Sequence, residues 1–416
     1  MTGFATGQTG TGLPHSVFLR RLAGTAEPPG LEPRLGRAAF LVLRLVDLLG
    51  PGHDGLHPDA FRYQRIATER CCRDLPPTST EANHLLGLVE GTDHAFRQSD
   101  VALVLPALFA YGHFLEDELR LEEALDVLDE ALHVGGETVA TEDGIVLRLR
   151  RARVLRMLNS FDAAEQAYAE GGALAGATGD THSELLSRIG RAETLRGRGN
   201  LPAAETGLRA ALAEAEAGQD RYAQALAHQG IAVVLSTSGR PHEAIPHLWR
   251  AFQLYDDEPL RIRVLTDMGA LLLLVGDVAG AEHALRAVVH KGGSGEVVDN
   301  AMIELMHCAS YRRDRVGFER WRERCEARRD DMPPNILVDF TLKAGIGWAR
   351  FGQFARGERV LASALEIADD GGLHEFAFRI DRIRAGLRDC QEAAAEPVVE
   401  TEAVREVSDA LARLEV

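Results

Sequence analysis

Five arginines crowd one short stretch of the chain, Ile145–Leu158, which reads IVLRLRRARVLRML. They stand in a protein whose formal net charge is −17. A guanidinium offers planar, paired N–H donors, the chemistry suited to gripping carboxylates or phosphates. On a helix turning about 100° per residue, Arg150, Arg153 and Arg156 share one sector, while Arg148 and Arg151 fall on another. The first sector is the inferred inner face of its helix. Glu193 and Arg196, and then Gln229, are expected to face the same way from later helices. These six residues, Arg150, Arg153, Arg156, Glu193, Arg196 and Gln229, form the expected partner-binding set. Its ligand would be an acidic segment or a free carboxylate. Two other accounts of the arginines compete with this one. They neutralise acids such as Glu116 and Glu193, or they lay their stems over apolar surface.

Other reactive side chains are scattered. His113 lies beside Glu116, Asp117 and Glu118, a group that could chelate a cation but equally makes a solvated acidic turn. His307 and Cys308 are adjacent, and neighbours in sequence on a helix point in different directions. No phosphate-binding loop, dinucleotide fingerprint, zinc-protease helix or nucleophile elbow occurs. No enzyme activity, cofactor or metal site is expected. The five cysteines, Cys71, Cys72, Cys308, Cys325 and Cys390, are odd in number and lack a CxxC pair. They point to a reducing, cytoplasmic setting. The acidic balance argues against nucleic acid as a partner. No apolar run approaches the ~18 residues of a membrane span, and no leader pattern opens the chain.

The elements that must position these groups are helices in a repeating frame. Arg261–Val289 (RIRVLTDMGALLLLVGDVAGAEHALRAVV) reads as a helix, a tight Gly276–Asp277 turn and a second helix. Aligning the turn residue of each such pair gives Leu119, Asn159, Gly199, Gly239, Gly276, Arg312 and Gly352, at steps of 40, 40, 40, 37, 36 and 40 residues. Seven residues before each turn stands a small residue: Gly112, Ala152, Ala192, Ala232, Gly269 and Gly345, with Leu305 the exception. Early in each second helix another small residue follows: Ala124, Ala164, Ala204, Ala244, Ala281, Gly317 and Gly357. Four residues further on come Leu128, Tyr168, Leu208, Leu248, Leu285, Trp321 and Leu361. Antiparallel helices need small residues at their nearest approach and large ones filling the grooves beside it. One hairpin cannot bury its outer face alone, so the units stack.

This spacing and these columns resemble the tetratricopeptide repeat in a long-period, bacterial form, over roughly Asp100–Gly371. The resemblance implies an all-α, right-handed superhelical solenoid of antiparallel helix pairs. It also implies an inner surface, lined by the first helix of each pair, that binds peptides or partner proteins. The lysine-and-asparagine clamp of chaperone-binding members has no counterpart here. The expected organisation is a flexible arm over residues 1–30, a helical cap or degenerate repeats over 31–98, and seven repeats over 99–372. A capping helix over 373–394 follows, then a linker and short amphipathic helix over 395–416. Val404, Val407, Leu411 and Leu414 share one face of that last helix, which folds back on the array or docks on a second copy of the chain. Function is expected to be a non-catalytic scaffold for a peptide or protein. The alternative is a ligand- or peptide-responsive sensory module of a bacterial signalling system.

Overall fold

The computed structural model describes residues 13–22, 30–51, 57–136, 141–292, 295–387 and 401–414. Among them every regular element is a helix. None of these helices is long and apolar enough to cross a membrane. The chain divides into two compact units, Met1–Asn200 and Leu201–Val416.

The first unit opens with a short 3₁₀ helix, Ser16–Leu22, followed by α1 (Leu31–Val46), α2 (Pro58–Arg73) and α3 (Thr80–Gln98). Then come α4 (Leu105–Asp117), α5 (Leu121–Gly135), α6 (Thr141–Met157), α7 (Phe161–Thr178) and α8 (Thr181–Gly197). Helices α4 and α5 pack as one hairpin, α6 and α7 as another, and α8 lies against both α6 and α7. The 3₁₀ helix lies within the span expected to be a flexible arm, yet it docks on α1 and α5. Its Phe18 is fully buried, in one core with Leu43, Leu85, Tyr111 and Leu128. Apolar burial of such a ring, about 1.5–3 kcal/mol, favours docking.

Charge reinforces that dock. Arg21 and Arg120 each place two nitrogens on the buried Glu81, at 2.8–3.1 Å. The Tyr111 hydroxyl donates to the same carboxylate at 2.9 Å, and Arg21 reaches Glu123 at 2.8 Å. Burial pushes the Glu81 carboxyl above its usual range, and the guanidinium of Arg21 opposes that shift.

The second unit holds α9 (Leu201–Ala217), α10 (Arg221–Thr237), α11 (Pro241–Leu254), α12 (Glu258–Leu274) and α13 (Val278–Lys291). It continues with α14 (Gly295–Tyr311), α15 (Arg315–Glu326), α16 (Pro334–Arg350), α17 (Phe354–Asp370), α18 (His374–Gly386) and α19 (Glu402–Ala412). The hairpins are α10/α11, α12/α13, α14/α15 and α16/α17, and first helices also touch in the series α12, α14, α16, α18.

The small-residue columns have a direct geometric cause. A Cβ added to Gly269 would sit 2.6 Å from Leu285 Cγ, and one on Gly345 would sit 2.8 Å from Leu361 Cγ. The large residue of the second helix therefore seats against the small one of the first. The turns confirm the period. Leu119, Asn159, Gly199, Gly239, Gly276 and Gly352 all adopt positive φ, between 55° and 87°. In the remaining hairpin the positive φ falls on Arg313, at 55°, one residue beyond the expected Arg312. The cap of the second helix identifies the slip. Asp314 accepts the Gly317 N–H as Asp277 accepts the Gly280 N–H. Gly317 is thus the counterpart of Gly280, and Phe318, fully buried, takes the place of the small Ala281. Helix α8 is capped by Asp180, which accepts the Ser183 N–H at 3.0 Å.

Helix α19 packs on α11 and α13 of its own unit. Val404, Val407 and Leu411 are buried in that contact. The amphipathic face read from the sequence is occupied within the chain.

Candidate functional site

Three of the five α6 arginines meet acids on neighbouring helices. Arg150 donates through Nε to Glu116 Oε1 of α4 at 3.1 Å, and Glu116 itself is buried. Arg196 donates to Glu193 Oε2 at 2.8 Å, and Arg156 lies 3.9 Å from the same oxygen. Packing of α6 on α8 brings Arg156, Glu193 and Arg196 together, with Glu193 balancing the two arginines. On the other sector Arg151 pairs with Asp129 and Arg148 donates to the Gly144 carbonyl. Arg153 is exposed, with no carboxylate partner among the described residues. Gln229 belongs to the second unit, on α10, where its Oε1 accepts from the Tyr255 hydroxyl at 2.9 Å.

The second unit carries an arginine cluster that the sequence did not single out. A cavity of about 1120 Å³ opens between the ends of α16 and α18, lined by Arg313, Arg350, Arg379 and Arg382. Its apolar wall includes Ile346, Phe351 and Phe378, and Glu375 is the single carboxylate in the lining. Among the described residues none of the four arginines forms an ion pair. Arg350 is half-buried and held in place by neutral groups. Its Nη1 donates to Ser310 Oγ at 2.8 Å, and its guanidinium carbon stands 3.5 Å from the Tyr311 ring centroid. Burial lowers its pKa from the usual arginine value. The same nitrogen approaches His307 Nδ1 at 3.4 Å. Burial first, and the Arg350 charge second, hold His307 well below its ordinary pKa, so it stays neutral. A buried cation without a counter-anion is costly; an incoming carboxylate would relieve that cost. The signal was hard to see because the four residues come from a turn and two helices spread over seventy positions.

The other reactive groups separate. His113 pairs with the exposed Asp117 at 2.9 Å, whereas Glu116 is turned to Arg150. Cys308 is fully buried beside His307 in sequence, and burial pushes its thiol up to about 12, as it does for Cys325. Neither sulfur is available as a thiolate at neutral pH.

A third constellation lies under the docked 3₁₀ helix. His15 Nδ1 is 2.5 Å from Asp126 Oδ2, and Nε2 is 2.9 Å from Asp47 Oδ1. Burial alone would lower the His15 pKa, but the hydrogen bonds to Asp126 and Asp47 prevail and raise it to about 9. Glu130, on the same face of α5 as Asp126, is raised to about 8 by burial and by the neighbouring Asp47 charge. Asp126 and Glu130 one helical turn apart were the missed clue, since their partner sits in the segment read as an arm.

No protein-family model matches the chain, and no curated protein matches it by sequence. Solved structures match it in three dimensions. One is the apo form of the quorum sensor NprR from B. thuringiensis, with a TM-score of 0.50 at 11% identity, covering 79% of this chain and 87% of that one. Another is the Rap conjugation gene regulator of the plasmid pLS20 in complex with the Phr* peptide. It gives a TM-score of 0.50 at 11% identity over 88% of this chain and 98% of that one. At such identity the likeness concerns the fold, which is a tetratricopeptide-like array of helix pairs.

Proposed function

We propose that this chain is a non-catalytic regulatory scaffold that binds a peptide or protein segment on the surface formed by the first helices of its repeats. The segment carries acidic side chains or a free carboxylate together with apolar ones. One observation carries the reading: a half-buried Arg350, without an ion pair among the described residues, in a cavity with three more arginines and an aromatic wall. Guanidinium forks there fit carboxylates, and the apolar wall fits the side chains between them. The neighbour bound to the Phr* peptide supports a peptide as ligand. In the first unit, Arg153 is the member of the expected set still open to a partner. The four described cysteines are free thiols, in keeping with a cytoplasmic setting.

Selection from a random peptide library displayed with free C-termini tests this reading. Peptides recovered on the parent chain should be enriched in acidic residues or depend on their terminal carboxylate. They should be lost on an Arg350→Met/Arg379→Met variant. Equal recovery of neutral or basic peptides on both proteins would set the reading aside.

A further inference from the structure

We infer that His15, Asp47 and Glu130 form a binding site for a divalent cation of the zinc class, with Asp126 orienting the imidazole. One donor atom from each of the three residues lies within 4.8 Å of the other two. His15 Nε2 stands 2.9 Å from Asp47 Oδ1 and 3.7 Å from Glu130 Oε2. Those separations bracket the roughly 3.4 Å edge of a tetrahedron whose bonds are about 2.1 Å long. One imidazole with two carboxylates favours a borderline ion, whereas calcium and magnesium prefer oxygen alone.

The surroundings are those of a metal-binding histidine. The Nδ1–H donates to Asp126, which fixes the ring and aims Nε2 at the other two carboxylates; such an outer carboxylate is the usual partner of a metal-bound imidazole. Arg44 donates to Asp47 Oδ2, which leaves Oδ1 facing the histidine. Glu130 supplies the independent sign. Its side chain is only 6% exposed, and its Oε1 is buried with no hydrogen-bond partner among the described residues. An orphaned carboxylate oxygen in the interior is costly, and a cation removes that cost. Charge closes as well. Three carboxylates, from Asp47, Asp126 and Glu130, are balanced by the Arg44 guanidinium and one dication.

On binding, the cation displaces the Nε2 proton of His15 and the carboxyl proton of Glu130, both of which pass to solvent, while Nδ1 keeps its own. The ligands come from three elements. His15 immediately precedes the 3₁₀ helix, Asp47 follows α1, and Glu130 lies on α5. The ion therefore fastens the segment 13–22 to the helices beneath it.

The test uses the full chain, stripped with a chelator, dialysed, and titrated with Zn²⁺ by calorimetry and thermal melting. The expected result is one tightly bound ion per chain and a raised Tm. Both effects should be lost in Glu130→Gln and His15→Gln but kept in the exposed control His113→Ala. Co²⁺ as a spectroscopic probe should show visible bands of a tetrahedral nitrogen–oxygen site. Three results would overturn the assignment: no Zn²⁺ bound by the parent chain, equal binding by Glu130→Gln, or a Co²⁺–thiolate charge-transfer band. The parent titration decides the matter even where a variant folds poorly. Its failure would leave His15 a hydrogen-bonded anchor, without bearing on peptide binding in the second unit.

Discussion

At the scale of single residues, the array depends on the meeting of one small and one large side chain. Ala281 and Leu248 are 0% and 1% exposed. Ala281→Leu should cost about 1–3 kcal/mol through overpacking, and Leu248→Ala about 2–5 kcal/mol through the cavity left behind. Chemical denaturation of each variant checks this, and parent-like midpoints for both would mean that the register is wrong. A second residue-level consequence concerns pH. His228 and His247 meet Nδ1 to Nδ1 at 2.8 Å across α10 and α11. Burial, helped by the charges of Arg209 and Arg250 at His228, lowers its pKa to about 4. His247 is lowered to about 4 by burial, by His228 and by Arg209, against opposing Glu205 and Glu243. Below the ordinary value of about 6.5 the unfolded chain binds protons that the folded pair refuses. The pair's contribution to stability is therefore intact above pH ~6.5, falls as pH drops towards about 4, and levels off below. A His228→Phe/His247→Phe variant should lose less stability than the parent across that window. Parallel pH profiles would refute the assignment.

At the scale of elements, the helix pairs were legible because three columns had to stay in phase for hairpins to close. What escaped was local. Arg312 and Arg313 are chemically alike, so the sequence does not decide which of them makes the turn. Only the Asp314 cap on Gly317 shows that Phe318 enters the small-residue column. Room is made elsewhere, since Gly347 of α16 lies against the Phe318 ring. The docked segment before α1 is also hard to read, because its Gly- and Pro-rich surroundings conceal one buried phenylalanine and three ion-paired side chains, His15, Arg20 and Arg21. Helix α19 offers a test at this scale. Val404, Val407 and Leu411 are at most 4% exposed. Each contributes about 1.5–3 kcal/mol, and an ionised carboxylate placed among them has no partner to offset its burial. Val407→Asp should therefore release the helix. Hydrogen exchange over residues 401–414 should lose its protection in that variant while α11 and α13 keep theirs. Absence of protection in the parent would contradict the dock.

At the scale of the molecule, the net charge of −17 hides how arginine is distributed. The densest arginine run, on α6, drew notice in the sequence, yet two of its inward members face acids one helix away. Density along the chain does not report compensation in space. Arg313, Arg350, Arg379 and Arg382 are sparse in sequence but stand together without ion pairs among the described residues, and packing of α16 beside α18 creates that juxtaposition. Peptide capture by this cluster is tested by fluorescence anisotropy of a library-selected acidic peptide, titrated against the parent, Arg350→Glu/Arg379→Glu, and the helix-α13 control Arg286→Glu. Affinity should fall as salt rises, drop roughly tenfold or more in the double variant, and stay parent-like in the control. Equal affinity for the double variant and the parent, with the fold intact by circular dichroism, would contradict it.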